Sequence, residues 1–72
     1  MKKDILKNFG NNLRAERNRL DMSQDELANK ADLSDGRHIS KIENGEVDIR
    51  LTTLIPILKA LNIKFENLYD IK

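Results

Sequence analysis

Arg37, Ser40 and Lys41 fall at i, i+3 and i+4, the spacing that lines up side chains on one face of a helix. Ile39 and Ile42 interleave with them and must point the other way. The outer face therefore offers a guanidinium fork, a hydroxyl and an ammonium. That set makes hydrogen bonds; it does not make or break covalent ones. Arginine matches paired planar acceptors such as guanine O6 and N7, lysine reaches guanine or a phosphate, and serine donates or accepts. Gly36, just before them, permits close backbone approach or relieves a turn. His38 is the one histidine and has no His, Cys or acid pair at metal-ligating spacing, so it reads as a surface or phosphate-contacting residue. The chain has no cysteine, no paired-carboxylate site and no glycine-rich phosphate loop. These residues imply no enzyme, no metal and no cofactor.

A short scaffold must hold that face. Ser23 followed by Glu26 is a capping box, and Leu27 and Ala31 continue at helical spacing. Asp32-Leu33-Ser34-Asp35-Gly36 breaks the pattern with turn formers. Ile39 and Ile42 restart it, and Asn44-Gly45 stops it with residues that tolerate a left-handed backbone. The outline is two short helices and a tight turn, a helix-turn-helix over about residues 23–45. Two starts are open for the second helix. Asp35 caps a helix beginning Gly36-Arg37-His38, or Ser34 caps one a residue longer.

At these residues the chain resembles the Cro/repressor-type (Xre-like) helix-turn-helix family. The shared pattern is Met22-Ser23-Gln24, Glu26-Leu27-Ala28, Leu33-Ser34 and Ile39-Ser40-Lys41-Ile42-Glu43-Asn44-Gly45. It extends back to Leu13-Arg14 and Arg17, and forward to Leu54, Ile57 and Ala60-Leu61-Asn62-Ile63. The resemblance implies an all-α, lambda-repressor-like DNA-binding domain of five short helices. It also implies a sequence-specific double-stranded DNA-binding transcriptional regulator, a small repressor or controller acting at a palindromic operator. In that family Gln24 would hold a phosphate and brace the recognition helix, and the Asn44-Gly45 backbone would lie over another phosphate. Arg50 would extend that contact or stay solvated. Arg17 would pair with Glu43, orienting the recognition helix, or touch phosphate directly. Arg14 and Arg19 read as solvated, with a phosphate contact open to Arg14. The chain departs from the pattern in three places. Ala28 to Ile39 is one residue longer, Asp32 stands where glycine is usual, and Glu46 and Asp48 put acid in a loop expected near phosphates.

The charge distribution cuts against this reading. The net charge is only +1 over 72 residues. Residues 1–21 carry a local +3, residues 22–50 a local −3 and the remainder +1. An acidic middle favours a second class of function, an antitoxin or adapter that uses the same fold against protein. Charge sums ignore facing, however, and acids at helix N-termini are favoured by the dipole. Salt dependence separates the two classes, because DNA binding weakens steeply with salt.

The rest of the chain reads as support. The length fits one domain, residues 1–72, small enough that much of its surface stays wet. No run is apolar and long enough for a signal peptide or a membrane span, so the expectation is a cytoplasmic protein. Lys3 to Leu20 reads as the first helix, on a stripe of Phe9, Leu13, Arg17 and Leu20; a start near Asn8 is the alternative. Leu20 and Met22 should pack inward. Leu51 to Leu61 reads as the fourth helix, with Pro56 inside it; a start at Thr52 or Thr53 with a threonine cap would put the proline in the first turn. Phe65 to Ile71 reads as a last short helix. Phe65, Leu68, Tyr69 and Ile71 either finish the core or form the seam of a homodimer on DNA.

Overall fold

The computed structural model describes residues 1–71. In order they form α1 (Lys2–Arg19), α2 (Gln24–Lys30), α3 (Gly36–Glu43) and α4 (Leu51–Leu61), then a 3-10 turn over Phe65–Asn67. No strand occurs among the described residues. The all-α expectation holds, and the long version of the first helix is the one adopted.

The four α-helices end in the same way. After α1, the N–H of Met22 reaches back to the carbonyl of Arg17 and that of Asp21 to Asn18. Leu33 to Ala28 and Asp32 to Asn29 repeat this after α2, and Glu46 to Lys41 and Gly45 to Ile42 after α3. Ile63 to Leu58 and Asn62 to Lys59 close α4. This paired closure needs one residue in the left-handed region. Here it is Asp21 (φ 57°), Asp32 (φ 59°), Gly45 (φ 71°) and Asn62 (φ 54°). Three of the four sites thus use Asp or Asn, the residues other than glycine that best tolerate that conformation.

The core is aliphatic with one ring. Phe9 and Leu13 of α1 meet Leu27 and Ala28 of α2 with its C-cap Ala31, then Ile39 and Ile42 of α3, Ile57 and Leu61 of α4, and Leu68. Each fully buried side chain of this size contributes about 1.5–3 kcal/mol relative to exposure. Met22 packs against this core, as its position implied. Leu20 does not; it is exposed, because it is the C-cap of α1, where the chain turns away from the stripe.

The fourth helix keeps the span Leu51–Leu61 read from the sequence, and the boundary that differs is that of the last helix. The carbonyl of Arg50, not a threonine side chain, takes the first bonds of α4, from Thr53 at 2.9 Å and Leu54 at 2.8 Å. Pro56 therefore sits in the second turn, inside the helix. The last helix is cut to a 3-10 turn. The Asn67 side chain accepts from the backbone N–H of Lys64 at 2.9 Å, and Asn12 donates to the carbonyl of Leu68 at 2.7 Å. The second bond takes an acceptor that a continuing helix would use. It also ties the end of the chain to α1. Leu68 is wholly buried, so it completes the core and does not belong to a seam.

Candidate nucleic-acid interface

The C-terminal end of α3 is fixed by a polar knot. Glu43 is 1% exposed and ends α3, where the helix dipole disfavours a negative charge. Two arginines of α1 and a glutamine of α2 offset this. Arg17 donates through Nε to Oε2 at 2.6 Å and through Nη2 to Oε1 at 3.1 Å, a bidentate pair. Its remaining nitrogen, Nη1, donates to the carbonyl of Met22 at 2.6 Å. Gln24 donates to Oε1 at 3.1 Å and Arg14 at 3.3 Å. Burial alone would push the Glu43 carboxyl up; the hydrogen bonds from Arg17 and Gln24, with the arginine charges, hold it below the usual carboxylate range.

Of the two roles open to Arg17, the structure shows the ion pair with Glu43, and the side chain is mostly buried. Gln24 braces α3, as the resemblance implied. Arg14 was underestimated. Besides Glu43, it donates to the Asn44 side-chain oxygen at 2.9 Å. The available signal was its i, i+3 spacing from Arg17, which puts both on one face of α1. Arg19 pairs with Glu16 at 3.0 Å on the surface.

Gly10 lets this knot form. A Cβ there would run into the carbonyl oxygens of Ile42 and Glu43, so α1 crosses the end of α3 at a distance only glycine allows.

The N-terminal end of α3 is open. Asp35 is the N-cap, accepting from the backbone N–H of Arg37 at 2.9 Å, which settles the start of the helix at Gly36. The turn between α2 and α3 runs from the C-cap Ala31 to the N-cap Asp35. Gly36 is buried against the first turn of α2. Its N–H donates to Asp25 Oδ1 at 2.8 Å, and a Cβ would lie 2.5 Å from that oxygen. Gly36 therefore presents no surface to a ligand, a correction to its place among the candidate contacts. The Asp25 acceptor could not be foreseen, because nothing in the spacing of residues 25 and 36 marks them as neighbours.

Arg37, His38 and Lys41 are exposed and Ser40 is half-buried, while Ile39 and Ile42 are buried beneath them. Asn44 and Arg50 are exposed on the loop that follows. The Arg37 side chain lies back over its own N-cap, donating to Asp35 Oδ2 from Nη2 at 2.9 Å and from Nε at 3.2 Å. Lys41 is in no ion pair among the described residues.

The acidic middle segment proves to be largely occupied. Glu26 closes the capping box with Ser23, accepting at 2.8 Å from its N–H, while Ser23 Oγ accepts from Glu26 N–H at 3.0 Å. Asp25 holds Gly36, Asp35 caps α3, Glu43 is buried, and Asp48 meets Lys2 at 3.1 Å. Five of the seven acids in residues 22–50 thus serve in caps, hydrogen bonds or ion pairs.

Three comparisons bear on this arrangement. A family model described as helix-turn-helix matches residues 13–68. The fold is similar to the crystal structure of the restriction-modification controller protein C.AhdI from Aeromonas hydrophila, with 30% identity and a TM-score of 0.82. That alignment covers 92% of this chain and 97% of the other. A search of curated proteins gave no match.

Proposed function

The chain belongs to the Cro/repressor-type (Xre-like) helix-turn-helix family, and on that premise we propose that it is a sequence-specific regulator of transcription that binds double-stranded DNA. The observation that carries this is the construction of α3. One face is buried, its C-terminal end is locked by Glu43, and Arg37, Ser40 and Lys41 stand on the opposite face. A helix held this way can enter the major groove as a rigid unit, with α2 across the backbone. Arg37 reads a guanine, Ser40 assists, and Lys41 meets guanine or phosphate. Gln24 and Asn44 direct their remaining amide hydrogens to phosphates, and His38 and Arg50 flank them. With the Asn44 oxygen engaged by Arg14, its amide nitrogen is the end left for that contact.

The similar fold is that of a restriction-modification controller protein, which supports the narrower reading of a small controller or repressor. A single α3 touches few base pairs, so the working form is a homodimer on a palindromic operator. The seam falls on the apolar surface left at the C-terminal end, Phe65, Tyr69 and Ile71, beside Ile5 and Phe9 of α1. Leu51 and Ile55 of α4 are also exposed and form a second apolar strip. No helix among the described residues is long and apolar enough to cross a membrane, in keeping with a cytoplasmic regulator.

Selection of bound duplexes from a random library tests the reading. Enrichment of a palindrome with half-sites roughly 34 Å apart, bound with steep salt dependence, supports it. Absence of any enriched sequence would instead favour the antitoxin or adapter class, with a protein as the partner.

A further inference from the structure

Among the described residues, Arg37 is the outer-face cation of α3 with a fixed partner. Its side chain is 89% exposed, yet two of the guanidinium donors are held by Asp35. An exposed ion pair of this kind contributes little to stability. The geometry divides the guanidinium usefully. Asp35 Oδ2 takes Nε–H and one Nη2–H, and an arginine has five such hydrogens. The two on Nη1 and the second on Nη2 remain, and they form the end edge of the fork. That edge fits guanine O6 and N7. The same carboxylate uses its other oxygen to cap α3. Asp35 is therefore anchored to the helix backbone while it holds the side chain that leaves that helix.

We propose that Asp35 is a specificity-determining positioning residue, which touches no base but holds the Arg37 guanidinium in the orientation that reads guanine. This rests on the reading of α3 as the groove-entering helix. Pre-ordering a long side chain lowers the entropy lost on docking and disfavours other poses of the fork, including swings to the phosphates. A carboxylate at this point also repels phosphates, which weakens non-specific complexes more than the specific one.

The test uses the duplex selected from the random library and its three single-base-pair replacements at the guanine read by Arg37. Asp35→Asn keeps a capping oxygen, and Asn is as good an N-cap as Asp, so the melting temperature should hold. Asp35→Ser is the second variant, for the same reason. Both should lose guanine preference by about three- to tenfold, a fraction of what one bidentate contact provides, while binding to unrelated duplex is maintained or tightened. In an Arg37→Ala background neither change should alter preference, because the residue it acts through is gone. Unchanged guanine preference in Asp35→Asn and Asp35→Ser overturns the proposal, as does an equal loss in the Arg37→Ala background. A parent protein that prefers no duplex overturns the DNA reading and this inference together, whereas a selective parent with selective Asp35 variants overturns the inference alone.

Discussion

At its C-terminal end α3 is held by α1 and α2 through one buried carboxylate that accepts from Arg17, Gln24 and Arg14, and α1 crosses it at a glycine. At its N-terminal end the same helix carries Arg37 out into solvent, where its side-chain hydrogen bonds among the described residues go to its own N-cap. On the proposed reading of α3 as the groove-entering helix, the two ends divide its labour. Placement energy is concentrated on the buried Glu43 carboxylate, and the exposed side chains at the other end contribute little to folding. Changes at one end should therefore appear in stability and changes at the other in binding.

The largest effect should come from Glu43→Ala. It leaves Arg17 mostly buried and unpaired, and should cost on the order of 3 kcal/mol. That is a large fraction of the stability of a domain this size. A denaturation midpoint that did not move would erase the contrast between the two ends. Gly10→Ala attacks the same end without touching a charge. The new methyl meets the carbonyls of Ile42 and Glu43, and forcing α1 away should cost about 2 kcal/mol by the same assay, with no new property at the outer face.

Acid should loosen the C-terminal end next. The folded Glu43 carboxyl lies below its ordinary value, so the unfolded chain takes up that proton first. The stability it contributes is complete above the unfolded value of about 4.3 and is lost as pH falls through the lower, folded value. Glu43→Gln should accordingly flatten the fall of melting temperature below about pH 4. An acid limb as steep as that of the parent would place the sensitivity elsewhere. The smallest effect concerns the turn between α2 and α3, which separates the two ends. Asp32 holds φ 59°, and Asp32→Gly relieves a left-handed conformation while freeing the unfolded chain. The expected net gain is under about 1 kcal/mol. A loss of stability would show that the Asp32 side chain does more than tolerate the turn.

What could be read from the sequence followed the same division. Local signals carried the elements: Ser23 and Glu26 marked the start of α2, and Asn44-Gly45 marked the stop of α3 because few residues accept positive φ. The resemblance supplied the Arg17–Glu43 pair, since its members are 26 residues apart and no local rule joins them. What stayed hidden depends on tertiary neighbours. Gly36 looked available to a groove until Asp25 was found against it. Leu68 looked equally suited to core or seam until Asn12 tied its carbonyl to α1. Acid counting made residues 22–50 look hostile to DNA because composition does not reveal which carboxylates are caps.

The division between a placing end and a reading end is tested most directly by Arg37→Ala, with melting and binding measured on the same preparation. Melting should be unchanged, because the side chain is exposed and its ion pair with Asp35 lies on the surface. Binding to the selected duplex should weaken by about 1–3 kcal/mol, with preference relaxed at one base pair in each half-site and non-specific binding largely kept. An Arg37→Ala protein that binds the selected duplex as tightly and as selectively as the parent would contradict the assignment of the N-terminal end of α3 to reading.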